Sequence, residues 1–451
     1  YKIISKKDTI PRSEQYWDSI RTIPLTPEEL SSYAMSDSIK AISKNASVDS
    51  VKIKNKKNLF VDILKGKTWR NSDSTITTKY NGLLTPTNSN YNAVDGISYF
   101  QGIDFVFKID SAKNIRLDNK IGYAFHRKAW LWSVKSSFRN ILLKENTLDL
   151  SVGKNSFDFK NNGISNAVNS ISTFFFAKNY KKFYESTYFK ALAKQKINKN
   201  FQFFVGARYD KFTQLHNNTT YVFSKNKHFE INIPHSQKLY FSNIRNQKSF
   251  LYLLGLSYHK RQRKPWLQSS NYLMIYDFFN VRVKFIHGVK NVFDSNSDFS
   301  LLDLNFYQQA NLTPISGIAW KLNAGVFLHN NQMHFSQFKH FQTAESPVSF
   351  KNFQYTFQLI NDYELSNNKY YVNVGAEYKT EFLALRYFSF LNKNSWSESI
   401  YLNHLYSDVY NYTEVGYSLN NIFLLGKVGV FAGFNNLKYK SLGIKLSISV
   451  Q

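Results

Sequence analysis

The chain has no cysteine among its 451 residues, which excludes a disulfide-stapled scaffold and any cysteine-ligated metal site. It also lacks any run approaching the roughly 18 to 20 consecutive apolar residues of a membrane-crossing helix. Acidic residues are scarce, 31 against 58 Lys and Arg, for a formal charge of +27. A basic excess of this size calls for an anionic partner. The charges are spread singly along the chain, however, and not gathered in an arm or along one helix. That pattern argues against a nucleic-acid reader, whose basic footprint is clustered. No HExxH, G-x-S-x-G or P-loop occurs, so no catalytic, cofactor or metal residue is assigned. No repeat of 40 to 50 residues marks a propeller.

Aromatic residues are plentiful. There are 40 Phe, 30 Tyr and 7 Trp, yet the mean hydropathy is only −0.40. Apolar side chains are therefore spread through polar ones, and from about residue 71 they alternate with a period of two. In "FQFFVGARYD", Phe201, Phe203, Val205, Ala207 and Tyr209 share one face, with Gln202, Gly206, Arg208 and Asp210 on the other. "YYVNVGAEY" sets Tyr370, Val372, Val374, Ala376 and Tyr378 against Asn373, Gly375 and Glu377. "GIDFVFKID" and "SLGIKLSISVQ" behave alike, and further matches include 116–126, 183–196, 247–259, 317–329, 353–364 and 399–407. Many runs reach nine or more residues, enough to cross a bilayer at a tilt. Their apolar faces end in aromatics, which favour the membrane–water boundary. A closed sheet is the only sheet that satisfies its backbone in lipid.

The expectation is an all-β protein, a transmembrane antiparallel β-barrel of about sixteen strands (14–18). Short turns are expected at 110–114, 197–200, 313–316 and 365–369, and long loops at 155–182, 213–246 and 330–352. The segment 164–183 has room for a short helix. Phe204, Arg208, Phe327 and Phe431 are long or aromatic at lumen-facing positions, which points to a plugged lumen. Short turns usually face the periplasm, so the N-terminus is expected there.

Residues 1–70 are set apart from the barrel at 71–451. In the lead-in, Thr26 is placed as an N-cap with Pro27 at the first helical position and Glu29 as the third residue of a capping box. The helix runs to about Ser43 with a narrow apolar stripe that includes Leu30 and Tyr33. Trp17, Arg21, Leu25, Thr26, Glu29, Leu30 and Tyr33 are candidate periplasmic docking residues; the competing reading is a capped helix on a tether. "YHKRQRKPW" is the densest basic cluster, and Lys260, Arg261, Arg263 and Lys264 are candidate contacts for lipopolysaccharide phosphates or an acidic partner. A plain solvated turn is the alternative. His329, His334 and His340 sit at spacings of five and six, which suit no helical metal site.

"YWDSIRTIPLTPEELSSYAMSDSI" followed by "LFVDILKGKTWRNS" resembles the junction before the barrel in a family of Bacteroidota outer-membrane proteins of unknown function. "FFFAKNYKKFYE", the "SD" of "NSDF", "HF" at 340–341, "FQLINDYELSNNKYYVNVGAEY" and "NYTEVGYSLNNIFLLGKVGVFAGF" extend the resemblance over nearly the whole chain. The resemblance implies a carboxypeptidase-regulatory-like β-sandwich preceding the barrel. The last strands are distantly similar to Omp85-type assembly and secretion barrels, although no "RGF"-type lumen motif occurs. What the resemblance implies is a non-enzymatic outer-membrane component of an envelope-biogenesis, assembly or secretion complex, without cofactor. Its partners would be outer-membrane lipid, lipopolysaccharide and other envelope proteins. A porin-like channel for small anionic solutes is the other reading that the residues allow.

Overall fold

The structure is a computed structural model. It describes residues 59–160, 164–224, 227–236, 239–263, 276–313, 315–349, 352–381, 383–387, 396–423 and 425–448. A seven-residue helix, α1 (Leu59–Lys65), leads through Gly66 into β1 (Lys67–Arg70), β2 (Ile76–Tyr80), β3 (Ser89–Asn92) and β4 (Gly96–Lys108). Then follow β5 (Asn114–Ala124), β6 (Ala129–Arg139), β7 (Asn146–Asp158), the helix α2 (Asn166–Phe176), β8 (Phe183–Lys196) and β9 (Phe201–Gln214). The chain continues with β10 (Gln247–Arg263), β11 (Tyr276–Val289), β12 (Asp298–Thr313), β13 (Ser316–Gln332) and β14 (Val348–Ser349). It ends with β15 (Tyr370–Thr380), β16 (Ser397–Ser407), β17 (Asn411–Ile422), β18 (Gly426–Asn435) and β19 (Lys438–Ile448).

These nineteen strands belong to one sheet. Setting aside the short β1, β3 and β14 leaves sixteen, each antiparallel to the next in an up-and-down meander. The order follows from the period-two pattern and the short connections, which pair consecutive strands as hairpins. Among the described residues no ladder joins β19 back to β1 or β2, so the hydrogen-bonded path is open at that seam.

The sheet is inside out by the standard of a soluble protein. Ser399, Tyr401, Asn403 and Leu405 of β16 are buried, while Ile400, Leu402 and Tyr406 between them are exposed. On β19, Lys445 and Ser447 are buried, whereas Leu442 and Ile444 are 64% and 67% exposed. Two aromatic belts bound this apolar wall. Near the ends of β9–β13 that carry the short connections, Phe201, Tyr258, Phe279, Phe306 and Trp320 touch in series at 4.7, 5.8, 5.1 and 4.2 Å. At the other ends Tyr209 meets Phe293, Tyr123 meets Trp130 and Tyr370 meets Tyr406. From Phe201 to Tyr209 is roughly 27 Å along the strand. With a barrel strand's usual tilt that falls to about 20 Å, near the height of a bilayer-facing apolar band.

The strand boundaries expected from alternation agree closely with the structure; 183–196 is β8 to the residue. One expectation is overturned. The stretch 353–364 is not a strand, and 365–369 is not a turn between two strands, because 333–369 is a single connection from β13 to β15. Its alternation is real but serves a different burial: Phe353, Phe357 and Ile360 are sunk in the barrel's interior. The expected helix in 164–183 is α2, capped by the Ser165 hydroxyl accepting from Val168 N and ended at Ala177 in the left-handed region. The lead-in helix expected after Thr26 lies outside the described residues.

Candidate functional site

The 333–369 connection turns inward and plugs the lumen. Such a segment has no business in solvent: Phe335, Phe338, Phe341, Phe353 and Phe357 are too apolar for a long exposed loop. Phe335 and Phe353 are fully buried. Phe335, Phe338 and Phe341 join a cluster with Phe159, Tyr184, Phe212 and Phe299 of the wall side, while Phe353 packs on Tyr401 and Phe431. Small wall residues make the room. A Cβ on Gly375 would meet the Tyr355 ring at 2.6 Å, and one on Gly443 would meet Leu359 at 2.6 Å.

Polar ties then set the plug's position around the wall. Gln337 Nε2 donates to Ser249 Oγ at 2.6 Å, and Lys339 Nζ pairs with Asp303 Oδ1 at 2.7 Å. Glu414 of β17 accepts from the backbone N–H of Gln358 at 2.6 Å and of Leu359 at 3.1 Å. Lys445 Nζ of β19 is held by the carbonyls of Ala344, Glu345 and Ser346 at 2.9, 3.2 and 3.2 Å. Beside it β14 pairs in parallel with β19, Val348 opposite Leu446 and Ser349 opposite Ser447. The plug therefore takes part of the edge that β19 leaves open. On the opposite wall Lys160 Nζ reaches Asp362 Oδ1 at 2.5 Å, both side chains being nearly inaccessible at 2% and 7%. Tyr363 donates its hydroxyl to Asp158 and accepts the Lys182 N–H at 2.8 Å.

The three histidines of the sequence pattern do not meet as a site. His329, on β13, pairs with Asp298 at 3.0 Å. His334 starts the plug, stacked 4.0 Å from Phe212, with Nδ1 beside the Ser336 hydroxyl and its buried Nε2 without a partner. His340 is held between the Ser366 hydroxyl and the Phe335 carbonyl, at 2.8 and 2.9 Å. Among the described residues no group of three or more His, Asp or Glu is arranged to hold a metal ion.

Burial pushes both His334 and His340 down from 6.5 to about 3, helped by Arg208 and His340 around the first and by Lys160 and Lys339 around the second. Between those values the unfolded segment binds more protons than the folded one, so stability rises with pH and is lost as pH falls below 6.5. Each group contributes a slope of roughly 1.4 kcal/mol per pH unit in that window. Amide hydrogen exchange of 333–341 should accelerate from about pH 7.5 to about pH 5, after correction for intrinsic exchange, while β16 and β17 stay protected. His334→Gln with His340→Gln should flatten the dependence. A wild-type plug equally protected at both values would refute this.

Of the basic candidates, Lys260 and Arg261 are exposed at the end of β10 beside the 197–200 turn, with Arg261 5.3 Å from the Phe278 ring centroid. The Arg263 side chain, Lys264 and the seven lead-in candidates lie outside the described residues. Sequence reasoning missed the plug's anchors, Lys160, Asp303, Asp362, Glu414 and Lys445. The only available signal was the excess of phenylalanine between 335 and 357.

The fold and the filled lumen define an all-β barrel-type protein whose described meander has fifteen long strands and the shorter β2, with an internal plug. The chain belongs to the family of unknown function DUF5686, whose C-terminal domain matches residues 61–419. Comparison with curated proteins finds no match. Among solved structures, the crystal structure of BamA from Haemophilus ducreyi lacking POTRA domains 1–3 aligns over 85% of this chain and 75% of that chain, at 10% identity and a TM-score of 0.42.

Proposed function

We propose that this protein is an integral outer-membrane β-barrel that serves as a non-enzymatic, non-conducting component of an envelope-biogenesis, assembly or secretion complex. The observation that carries the reading is the pairing of an apolar outer wall with a lumen filled by 333–369. The first suits lipid and the second leaves no wide aqueous path, so the barrel acts through its wall and its ends. The last described residue of β19, Ile448, and the turns 109–113, 197–200 and 314–315 share one side, while the longest connections, 159–182, 215–246 and 333–369, lie on the other. The former side is taken as periplasmic, as short turns are in barrels of this type. Lys260 and Arg261 then face the periplasm, where an acidic partner or inner-leaflet phosphates are within reach and lipopolysaccharide is not. The lead-in residues Trp17, Arg21, Leu25, Thr26, Glu29, Leu30 and Tyr33 are the proposed docking segment on that side. The basic lumen favours a second reading, an anion channel that conducts once the plug moves.

The test is gentle detergent extraction of the tagged protein from its own membranes, with mass spectrometry of what co-elutes stoichiometrically. A reproducible set of envelope proteins, lost when the lead-in residues are replaced by alanine, is the expected result. A barrel recovered alone would defeat the complex reading and leave the channel.

A further inference from the structure

Below the plug lies a cavity of about 400 Å³ between β11, β12, β13, β15 and the plug residues Lys339–Gln342 and Tyr355. Its walls carry four cationic side chains, Arg282, Lys284, Lys321 and Lys339, against one carboxylate, Asp303. That carboxylate is already taken. Lys339 Nζ lies 2.7 Å and Lys284 Nζ 3.7 Å from its oxygens, and the Tyr371 hydroxyl donates to it as well. Arg282 makes no hydrogen bond or ion pair among the described residues, and Lys321 makes no hydrogen bond there, lying 5.9 Å from the Tyr355 ring centroid and feeling the Asp303 charge from a distance.

Arg282 is exposed to the cavity and has its donors free, and Lys321 shares Asp303 with Lys284 and Lys339. The cavity therefore holds more cationic than anionic charge and favours an anion, all the more where lumen walls limit screening by water. A guanidinium presents a planar fork of donors suited to phosphate or carboxylate oxygens, and an ammonium adds a mobile point charge. Around them Asn305, Asn323 and Asn373 offer amides that suit hydroxyls. Tyr307 and Tyr355, perpendicular at 6.0 Å between centroids, supply flat walls. Gly375 is part of this construction, since only its missing side chain lets Tyr355 in.

We infer that this cavity is a binding site for a phosphate-class oxyanion, with Arg282 and Lys321 as the direct ligands and room for a small hydroxylated body. It lies toward the end of the barrel that carries the 314–315 turn, since Lys321 and Tyr307 lie towards that turn, and plug residues bound it on the other side. The inference stands apart from the proposed complex, because it concerns the purified barrel alone.

The measurement is isothermal titration of the full chain in detergent with inorganic phosphate and with glucose 6-phosphate, against glucose and sodium chloride at matched ionic strength. Saturable binding of a phosphate probe is expected, weakened at least about tenfold by Arg282→Gln with Lys321→Gln. Inorganic phosphate binding as tightly as the sugar phosphate supports the oxyanion site and assigns free phosphate as its ligand. Tighter binding of glucose 6-phosphate supports it and assigns the ester. Should the double variant fail to show the wild-type heat-modifiable mobility of a folded barrel, Lys321→Gln alone replaces it, with Lys321→Arg expected to retain binding. No saturable heat with either phosphate probe, or an affinity unchanged by the substitutions, would overturn the assignment.

Discussion

Excision of residues 334–368, with a short Gly-Ser linker in their place, is expected to turn a barrel with near-baseline conductance in planar bilayers into an open pore. The excision removes the two-residue β14 pairing with β19 but leaves every ladder between the long wall strands in place. β13 and β15 share a continuous antiparallel ladder from Ser316 opposite Thr380 to Val326 opposite Tyr370, all outside the excised segment. What the excision removes is the aromatic filling, Phe335, Phe338, Phe341, Phe353 and Phe357, and with it the plug residues that bound the cavity. Sixteen strands enclose a lumen wide enough for water once side chains no longer fill it. The wall left behind is basic, with Lys190, Arg208, Arg282, Lys284 and Lys321 facing inward, so the reversal potential in a salt gradient should favour anions. Wild-type protein conducting as freely as the excised form would mean that 333–369 does not occlude the lumen. That outcome would promote the channel reading over the complex.

The second large effect is expected at Lys160. Its Nζ meets Asp362 Oδ1 at 2.5 Å, the Thr343 hydroxyl at 2.5 Å and the Thr343 carbonyl at 3.0 Å, inside the barrel and away from water. Lys160→Met keeps the side chain's bulk and strands the Asp362 carboxylate, which then has the Thr343 hydroxyl as its remaining side-chain partner. Removing one member of a buried pair typically costs about 3–5 kcal/mol, because the other charge stays desolvated. Removing both is far milder, so Lys160→Met with Asp362→Leu should recover most of the loss. Limited proteolysis within 339–367 and the temperature of the heat-modifiable transition read the two variants. A single substitution as stable as the wild type would mean that this pair does not hold the plug. A double variant as weak as the single would mean that packing volume, not charge, is what the site requires.

Consider β9 and the plug together. Phe201 to Tyr209 could be assigned to lipid, and Gln202, Arg208 and Asp210 to the lumen, from spacing alone. Successive side chains of a strand point to opposite faces, and the membrane rewards one face for being apolar along its whole height. The same logic read 353–364 as a strand, since a segment threading between apolar and polar lumen surfaces alternates too. Local period cannot tell lipid on one side from a packed barrel interior.

His334 and His340 show the same limit. In the sequence they stand in a polar-looking loop, and nothing nearby marks them as buried. Their surroundings come from far away: Phe212 and Tyr184 for the first, Lys160 and Ser366 for the second. Arg282 and Lys321 were not singled out by the sequence either, because a two-residue period assigns a face within one strand but not which residues of different strands share a cavity. Strand register across β11, β12 and β13 brings them together.

What the sequence by itself determined is the all-β class, the length and facing of nearly every long strand, and the pairing of neighbours, because these depend on a two-residue period and on short connections. What only the tertiary structure decided is the interior: the plug, its buried Lys160–Asp362 pair, the carbonyl cradle around Lys445, and the basic cavity beneath Lys339. Those contacts join residues up to 205 positions apart. Their strength comes from the dry, crowded lumen that exists only after the sheet has curled around it.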